Sequence, residues 1–286
     1  MEMGLRKWIS AHLAALPVGN LPFSDLKTNP FVLLIYARLK AHQYVSQLEQ
    51  DILPAKAFSS METSAGKMIE KVVLPVYGWQ EVPSTMHSPN SVLDGKKSVG
   101  SVLHLLTLKS GPNTLDASIA SDIAGNIVQH FRSWARDGNV SEIAFTFGEL
   151  YGSKKQSNKK SWHILRKVAE TLPPDCVTLS PKDRWDCQFE QDGVKVSVTV
   201  RPGIELWDYL SGSPNAYVEV AVAMIRACIV TGAMPADPQT FVIAALNEVA
   251  SLRAVPDEYN VSLLQRSQLE WLFFYIRHYC DRLENT

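Results

Sequence analysis

Two charged residues, Asp94 and Lys109, are of the types that hydrolyse phosphodiester bonds when they lie close together. A carboxylate binds a hard divalent cation such as Mg²⁺, which polarises a phosphoryl oxygen and lowers the pKa of a bound water. A neighbouring lysine can orient that water and stabilise the charge that develops on the phosphate. Thr107 lies two positions before Lys109. On a strand these two side chains point to one face, and His104 points to the other.

The same residues also fit a purely structural interpretation. Asp94 and the glycine after it could form a hairpin turn, and Lys109 could simply mark the end of a strand before a Ser-Gly-Pro loop. Aspartate-glycine turns and lysines at strand ends are common, so the spacing alone favours this second interpretation. A catalytic role therefore needs support from beyond this pair.

The apolar pattern in the middle of the chain predicts the elements that would position these residues. Residues 102–109 form the clearest strand pattern. A helix with an apolar stripe begins near Asp116 and ends at Gly138 and Asn139. The other strand patterns lie at residues 76–82, 92–93, 143–147 and 194–200. A strand, a helix and a strand in this order imply a right-handed crossover and a parallel pair inside a mixed sheet.

Helical patterns dominate both ends of the chain. Ser59 and Glu62 have the spacing of a capping box, which predicts a helix that begins near Ser59. This helix would continue to about Val73 and end at Pro75, and the pattern is almost wholly helical again from Leu206 onward. The sequence therefore predicts an α/β fold with a mixed central sheet flanked by helices and with helical N- and C-terminal regions.

Composition and charge are those of an ordinary soluble protein. Lysine plus arginine count 28 and aspartate plus glutamate 29, so the net charge is −1. No overall positive field indicates nucleic-acid binding, although a local basic cleft could still provide it. The four scattered cysteines are typical of reduced thiols in the cytosol. We expect an intracellular protein, because the start lacks a signal-peptide pattern and the apolar segment 271–276 is too short to span a bilayer.

A lysine-rich segment follows the strand pattern at 143–147. Its members include Lys154, Lys155, Lys159 and Lys160. They could contact DNA phosphates, or they could form an ordinary solvated surface. Other catalytic motifs are not found in the sequence: Gly66-Lys67 lacks the upstream glycine of a phosphate-binding loop, no G-x-S-x-G turn occurs, and the histidines show no zinc-ligand spacing.

Three segments of the chain resemble a known family both in composition and in their order. The first runs from Leu106 to Asp116, with Asp94 ahead of it, and the other two are residues 148–152 and 203–212. In composition and order they resemble the core of PD-(D/E)XK type II restriction endonucleases. The subgroup they are most similar to cuts GC-rich palindromes with an interrupted or degenerate centre. Three ordered matches are far more specific than a catalytic motif alone.

The resemblance implies roles for individual residues. Asp94 matches the family's first metal-binding aspartate and Lys109 its catalytic lysine. Thr107 departs from the pattern, because the family places Asp or Glu at this position, so another acid would have to complete the metal site. Glu70 is the first candidate, because related enzymes often bring a helical glutamate to the metal, but it equally fits a solvated charge on a helix face. The other acidic candidates are Glu62 and Asp116.

The resemblance also implies an architecture and partners. A catalytic core at residues 59–212 would lie between a helical region at 1–58, which dimerises or clamps DNA, and a helical region at 213–286 packed on the core. The expected protein is a homodimer of the bacterial cytoplasm that cleaves double-stranded DNA at a short palindrome with Mg²⁺, and a companion DNA methyltransferase could protect the host. The alternatives are a catalytically weakened nuclease-fold DNA-binding protein and a structure-specific repair nuclease.

Overall fold

The computed structural model describes residues 1–16, 30–41, 44–83, 88–112, 114–156, 160–180, 185–229 and 262–279. Its centre is a single mixed sheet of seven strands. The strands are β1 (Gln80–Glu81), β2 (Gly95–Val99), β3 (Val102–Lys109), β4 (Glu142–Glu149), β5 (Val177–Leu179), β6 (Asp186–Gln191) and β7 (Val194–Pro202). Their order across the sheet is β1-β2-β3-β4-β7-β6-β5.

The middle of the sheet is parallel and its two sides are antiparallel. Strands β3, β4 and β7 run in one direction, with Lys109, Glu149 and Pro202 in register at their ends. Strands β1 and β2 on one side, and β6 and β5 on the other, extend this centre by antiparallel pairing. The predicted parallel pair of β3 and β4 is therefore confirmed. The carboxyl ends of these three central strands therefore lie side by side, and they form the carboxyl edge of the sheet.

Helices cover both faces of the sheet. They are α1 (Glu2–Ala15), α2 (Pro30–Leu39), α3 (Val45–Met68), a π-helix (Ile69–Val73), α4 (Leu74–Val76), α5 (Ala117–Gly138), α6 (Lys160–Thr171), α7 (Ile204–Ser211), α8 (Ala216–Cys228) and α9 (Leu263–Tyr279). The α/β fold with a mixed sheet, flanking helices and helical terminal regions is thus confirmed. Among the described residues, none of the helices is both long enough and apolar enough to span a membrane.

One core lies between the sheet and helices α5 and α6. Phe131 of α5 is fully buried and meets Phe189 of β6 edge to face, with ring centroids 5.2 Å apart. Helix α5 begins where the sequence predicts, because the Asp116 carboxylate accepts a hydrogen bond of 2.8 Å from the Ile119 N–H. It ends at Asn139, whose φ of 50° is the left-handed conformation that closes many helices. Burying each large apolar side chain here contributes roughly 1.5–3 kcal/mol.

A second core lies on the opposite face. Leu106 and Leu108 of β3 pack into the cluster that contains Leu5 of α1 and Leu206 and Trp207 of α7. The alternation along β3 therefore buries Leu103 and Leu105 on the α5 side and Leu106 and Leu108 on the α7 side. This double burial explains why residues 102–109 form the clearest strand pattern in the sequence.

Two local predictions about the N-terminal half are wrong. Helix α3 begins at Val45 rather than near Ser59, so Ser59 lies inside it, and the Ser59 carbonyl accepts a hydrogen bond from the Thr63 hydroxyl. The helical stretch also passes Val73 and ends at Val76, with Pro75 inside the final turn. Proline lacks an N–H and its ring conflicts with the carbonyl four residues earlier, and the wider π-helix that precedes it accommodates both effects.

The short strand patterns before β3 are also mostly wrong. Within residues 76–82 only Gln80 and Glu81 form a strand, and residues 92–93 lie in a loop. Leu93 is nevertheless buried in the α5-side core, and its N–H donates to the Asn90 carbonyl at 2.9 Å. An apolar run can therefore reflect burial of a loop, and periodicity over so few residues does not distinguish the two cases. The sequence analysis also missed β2, β5 and β6, of which β2 is rich in lysine.

Candidate active site

Asp94 is fixed against the strand that carries Lys109. Its N–H donates to the Leu106 carbonyl at 2.8 Å, and its carboxylate accepts the Leu108 N–H at 2.6 Å. These two bonds hold Asp94 beside Thr107. The hairpin-turn interpretation of Asp94 is wrong, because β2 and β3 pair continuously from Gly95 and the turn between them follows Val99.

Lys109 lies at the end of β3, half-buried, on the face that also carries Thr107. Burial raises the pKa of the Asp94 carboxyl, and the Leu108 N–H and the Lys109 charge lower it in part. Asp94 and Lys109 are therefore close enough to interact electrostatically. As strand alternation predicts, His104 points to the other face, where its Nδ1 lies 2.8 Å from the Tyr209 hydroxyl.

Glu70 approaches Asp94 from a different element. It lies in the π-helix, half-buried, between the buried residues Ile69 and Val73. Burial raises the pKa of the Glu70 carboxyl, and the negative charge of Asp94 raises it further. Short π-helical segments inside α-helices are frequent at functional sites. The fold thus brings a helical carboxylate near Asp94.

The other acidic candidates lie elsewhere. Glu62 is exposed on α3, and Asp116 caps α5 through its bond to the Ile119 N–H. Glu70, by contrast, lies close enough to Asp94 for that charge to raise the pKa of its carboxyl.

Thr107 has a positioning role in this geometry. Its side chain is only 3% exposed, and its hydroxyl donates a hydrogen bond to the Val92 carbonyl. This bond ties the loop that leads into Asp94 to the middle of β3. A neutral hydroxyl used in this way supplies no negative charge to a bound cation.

The loops that follow the three parallel strands pack tightly against one another. Gly152, with φ of 96°, approaches Pro112 so closely that a Cβ would lie 2.8 Å from the proline ring. Gly203 has a φ of 51°, and a Cβ on it would lie only 2.3 Å from the Gly152 carbonyl oxygen. A side chain at either glycine would therefore clash. The three family-like segments of the sequence meet at this edge, beside Lys109.

The four lysines predicted to contact DNA have different surroundings. Lys154 forms an ion pair of 2.9 Å with Glu205 at the start of α7, and Lys155 is exposed. Lys160 is the first residue of α6, and Lys159 lies outside the described residues. Their contact with DNA stays a prediction.

Sequence reasoning did not assign a role to Glu149, the last residue of β4. It is in register with Lys109 and only 1% exposed. One carboxylate oxygen accepts a hydrogen bond from the Ser161 hydroxyl, and the other is buried without a partner in the described part of the chain. The signal was visible in the sequence, because Glu149 continues the buried side of the strand that contains Ile143, Phe145 and Phe147.

Replacing Glu149 with glutamine is expected to stabilise the protein at neutral and alkaline pH. Burial raises the pKa of the Glu149 carboxyl above its ordinary value of 4.5, so the folded state binds this proton more tightly than the unfolded state. Stability is therefore lost as pH rises through the raised pKa. In thermal denaturation we expect a midpoint roughly 2–4 °C higher than wild type near pH 8 and equal midpoints below the ordinary glutamate pKa.

Glu142 provides the control for this measurement. It lies at the other end of β4, and its side chain is 41% exposed. Glu142→Gln should leave the pH dependence of the midpoint unchanged. Equal midpoints for wild type and Glu149→Gln across the whole pH range would show that Glu149 is not buried in its charged form.

The donor set at the sheet edge suits magnesium. Among the described residues no three His, Cys, Asp or Glu side chains lie close enough to hold a metal ion by themselves. Magnesium usually binds one or two carboxylates and completes its shell with waters and substrate phosphates, so Asp94 and Glu70 meet its requirement. A divalent cation would also favour the charged forms of both carboxylates, which burial and mutual repulsion disfavour.

Comparison with known proteins gives no family. No model of a protein family matches the chain, and no curated protein is significantly similar to it.

Proposed function

We propose that this chain is a magnesium-dependent endonuclease with a restriction-endonuclease-like fold that cleaves double-stranded DNA. One observation carries the proposal: the Asp94 carboxylate, held against β3 by the Leu108 N–H, lies close enough to Lys109 and to Glu70 to interact with the charge of each. Two half-buried carboxylates beside a lysine are the groups that hydrolysis of a phosphodiester requires.

Each residue would have a distinct task in cleavage. Asp94 and Glu70 would hold Mg²⁺, which when bound supplies Lewis-acid activation of the phosphate. Lys109, at the end of a strand with both faces packed, would orient the attacking water and stabilise the negative charge that develops on the phosphate. Thr107 and the Leu108 N–H would keep Asp94 in place through the bonds already described.

We further propose a homodimer that acts as a type II restriction endonuclease. Among the described residues, five large apolar side chains of α2 and α3 are exposed: Leu34, Ile35, Leu39, Phe58 and Met61. Exposed apolar patches often mark protein interfaces. A two-fold symmetric dimer would read a short palindrome and cut both strands, and a companion DNA methyltransferase would protect the host's own sites.

The state of Thr107 favours a second candidate, a nuclease-fold protein that binds DNA without cutting it. The position where the related family carries Asp or Glu holds a buried hydroxyl that is engaged by the Val92 carbonyl. If Glu70 does not replace the missing acid, the site would bind DNA but lack an effective metal centre.

Digestion of phage DNA with the purified chain and Mg²⁺ separates these candidates. We expect discrete bands whose sequenced ends define a palindromic site. A mobility shift without cleavage would support the DNA-binding protein and contradict the nuclease. Cleavage that prefers branched DNA and gives no fixed bands would instead indicate a structure-specific repair nuclease.

A further inference from the structure

A cavity of about 500 Å³, open to solvent, lies between helices α1 and α3. The α3 side chains that line it are Lys56, Ser59, Ser60, Thr63, Ser64 and Lys67. These positions follow the three- and four-residue spacing of one helix face. Trp8 and His12 of α1 form the opposite wall, and the Trp8 indole N–H donates to the Ser64 hydroxyl at 3.0 Å.

The chemistry of this lining selects an anion. Its charged side chains are the two lysines, and none of the described residues that line it is acidic. Serine and threonine hydroxyls and lysines are common donors to phosphate oxygens in protein–DNA complexes.

The cavity leads toward the candidate active site. From Lys56 to Lys67 the helix rises by about 16 Å, which equals the rise of about five base pairs along the axis of a DNA duplex. Lys67 lies three residues before Glu70 on the same continuous helical stretch, so the two side chains are neighbours on one helix face. A polymer that followed this helix face would therefore arrive beside Glu70 at one end.

We propose that the cavity between α1 and α3 binds the phosphodiester backbone of duplex DNA next to the cleaved phosphate. Lys56, Lys67 and the α3 hydroxyls would contact successive phosphates and guide the strand to Asp94 and Glu70. This role rests on the proposed nuclease function and makes it more specific. It adds a second contact surface to the lysine-rich segment that begins at Lys154, and it places phosphate contacts on the helix that continues into the metal site.

The salt dependence of DNA binding tests this proposal in the full-length protein. Binding of a short random-sequence duplex is measured by fluorescence anisotropy with EDTA present, so that cleavage does not interfere. Removing both lysines (Lys56→Ala with Lys67→Ala) should reduce the slope of log K against log salt by about 2. When salt rises from about 50 to 200 mM, the fold-decrease in the binding constant should then be about ten times smaller for the variant than for wild type.

The matched control removes two positive charges far from the cavity. Lys195 lies at the opposite edge of the sheet in register with Glu142, and Arg132 of α5 pairs with Asp192. The double variant Arg132→Ala with Lys195→Ala should keep the wild-type slope. A third variant, Ser60→Glu, places a carboxylate in the cavity at an exposed helix position and should weaken binding. Ala65→Glu, which adds the same charge at an exposed position of α3 outside the lining, should change binding little.

The outcomes separate this proposal from the proposed function. If wild type binds and cuts DNA but the Lys56/Lys67 variant keeps the full slope and Ser60→Glu binds normally, the cavity does not contact DNA, although the nuclease proposal stands. If wild type neither binds nor cuts duplex DNA, both proposals fail. A reduced slope that appears only with an RNA duplex would also overturn the assignment of DNA as the ligand.

Discussion

Replacing Lys109 with alanine is expected to reduce magnesium-dependent DNA cleavage by about 100- to 1,000-fold, the usual cost of losing one group that stabilises a transition-state charge. Binding of DNA should change little, because the role proposed for Lys109 is at the water and the reacting phosphate rather than along the whole duplex. Single-turnover cleavage, with binding measured in parallel, distinguishes the two effects.

The structure indicates that this variant should fold. Lys109 is the last residue of β3 and half-buried, and its carbonyl accepts the Leu150 N–H at 2.9 Å, a backbone bond that does not need the lysine side chain. Lys195→Ala serves as the charge-matched control, because this lysine is 55% exposed at the opposite edge of the sheet. Cleavage retained by Lys109→Ala would remove Lys109 from the catalytic site.

Asp94→Asn and Glu70→Gln are each expected to weaken magnesium binding by more than about 10- to 100-fold, because losing even an outer partner of a metal ligand has an effect of that size. The asparagine oxygen can still accept the Leu108 N–H, so the loop should stay in place. Cleavage measured against Mg²⁺ concentration should show that more metal is needed, and the rise in melting temperature that Mg²⁺ causes should shrink.

Glu62→Gln provides the matched control for this pair. Glu62 is an exposed glutamate on α3, the helix that leads directly into the π-helix of Glu70. It should leave both the magnesium requirement and the thermal shift unchanged. If Glu62→Gln has the larger effect, or if Glu70→Gln has none, Glu70 is not the acid that compensates for Thr107.

The parts of the fold with strong local patterns could be predicted from the sequence. The alternation of residues 102–109 and the apolar stripe of α5 reflect burial that is repeated over many residues. The caps Asp116 and Asn139 act on backbone groups within the same turn, so their residue types are sufficient to indicate the ends of α5. The parallel pairing of β3 and β4 followed from the long helical connection between them.

Local patterns failed where a contact between distant segments decides the outcome. Ser59 and Glu62 have capping-box spacing, but α3 continues through them and packs on α1, where Trp8 donates to Ser64. Leu93 has the apolar character of a strand residue, yet it fills the α5-side core from a loop. Propensity and spacing are weak compared with the burial that tertiary packing provides.

The hypothesis that Asp94 and Lys109 do chemistry came from their residue types and from the surrounding segments that resemble the endonuclease family. The surroundings of these two residues are set by the tertiary structure. It brings Glu70 near Asp94, uses the Thr107 hydroxyl to tether the loop before Asp94, and places buried Glu149 in register with Lys109. Side chains from separate elements acquire a common environment only when the whole chain packs, so no local pattern could have specified these contacts.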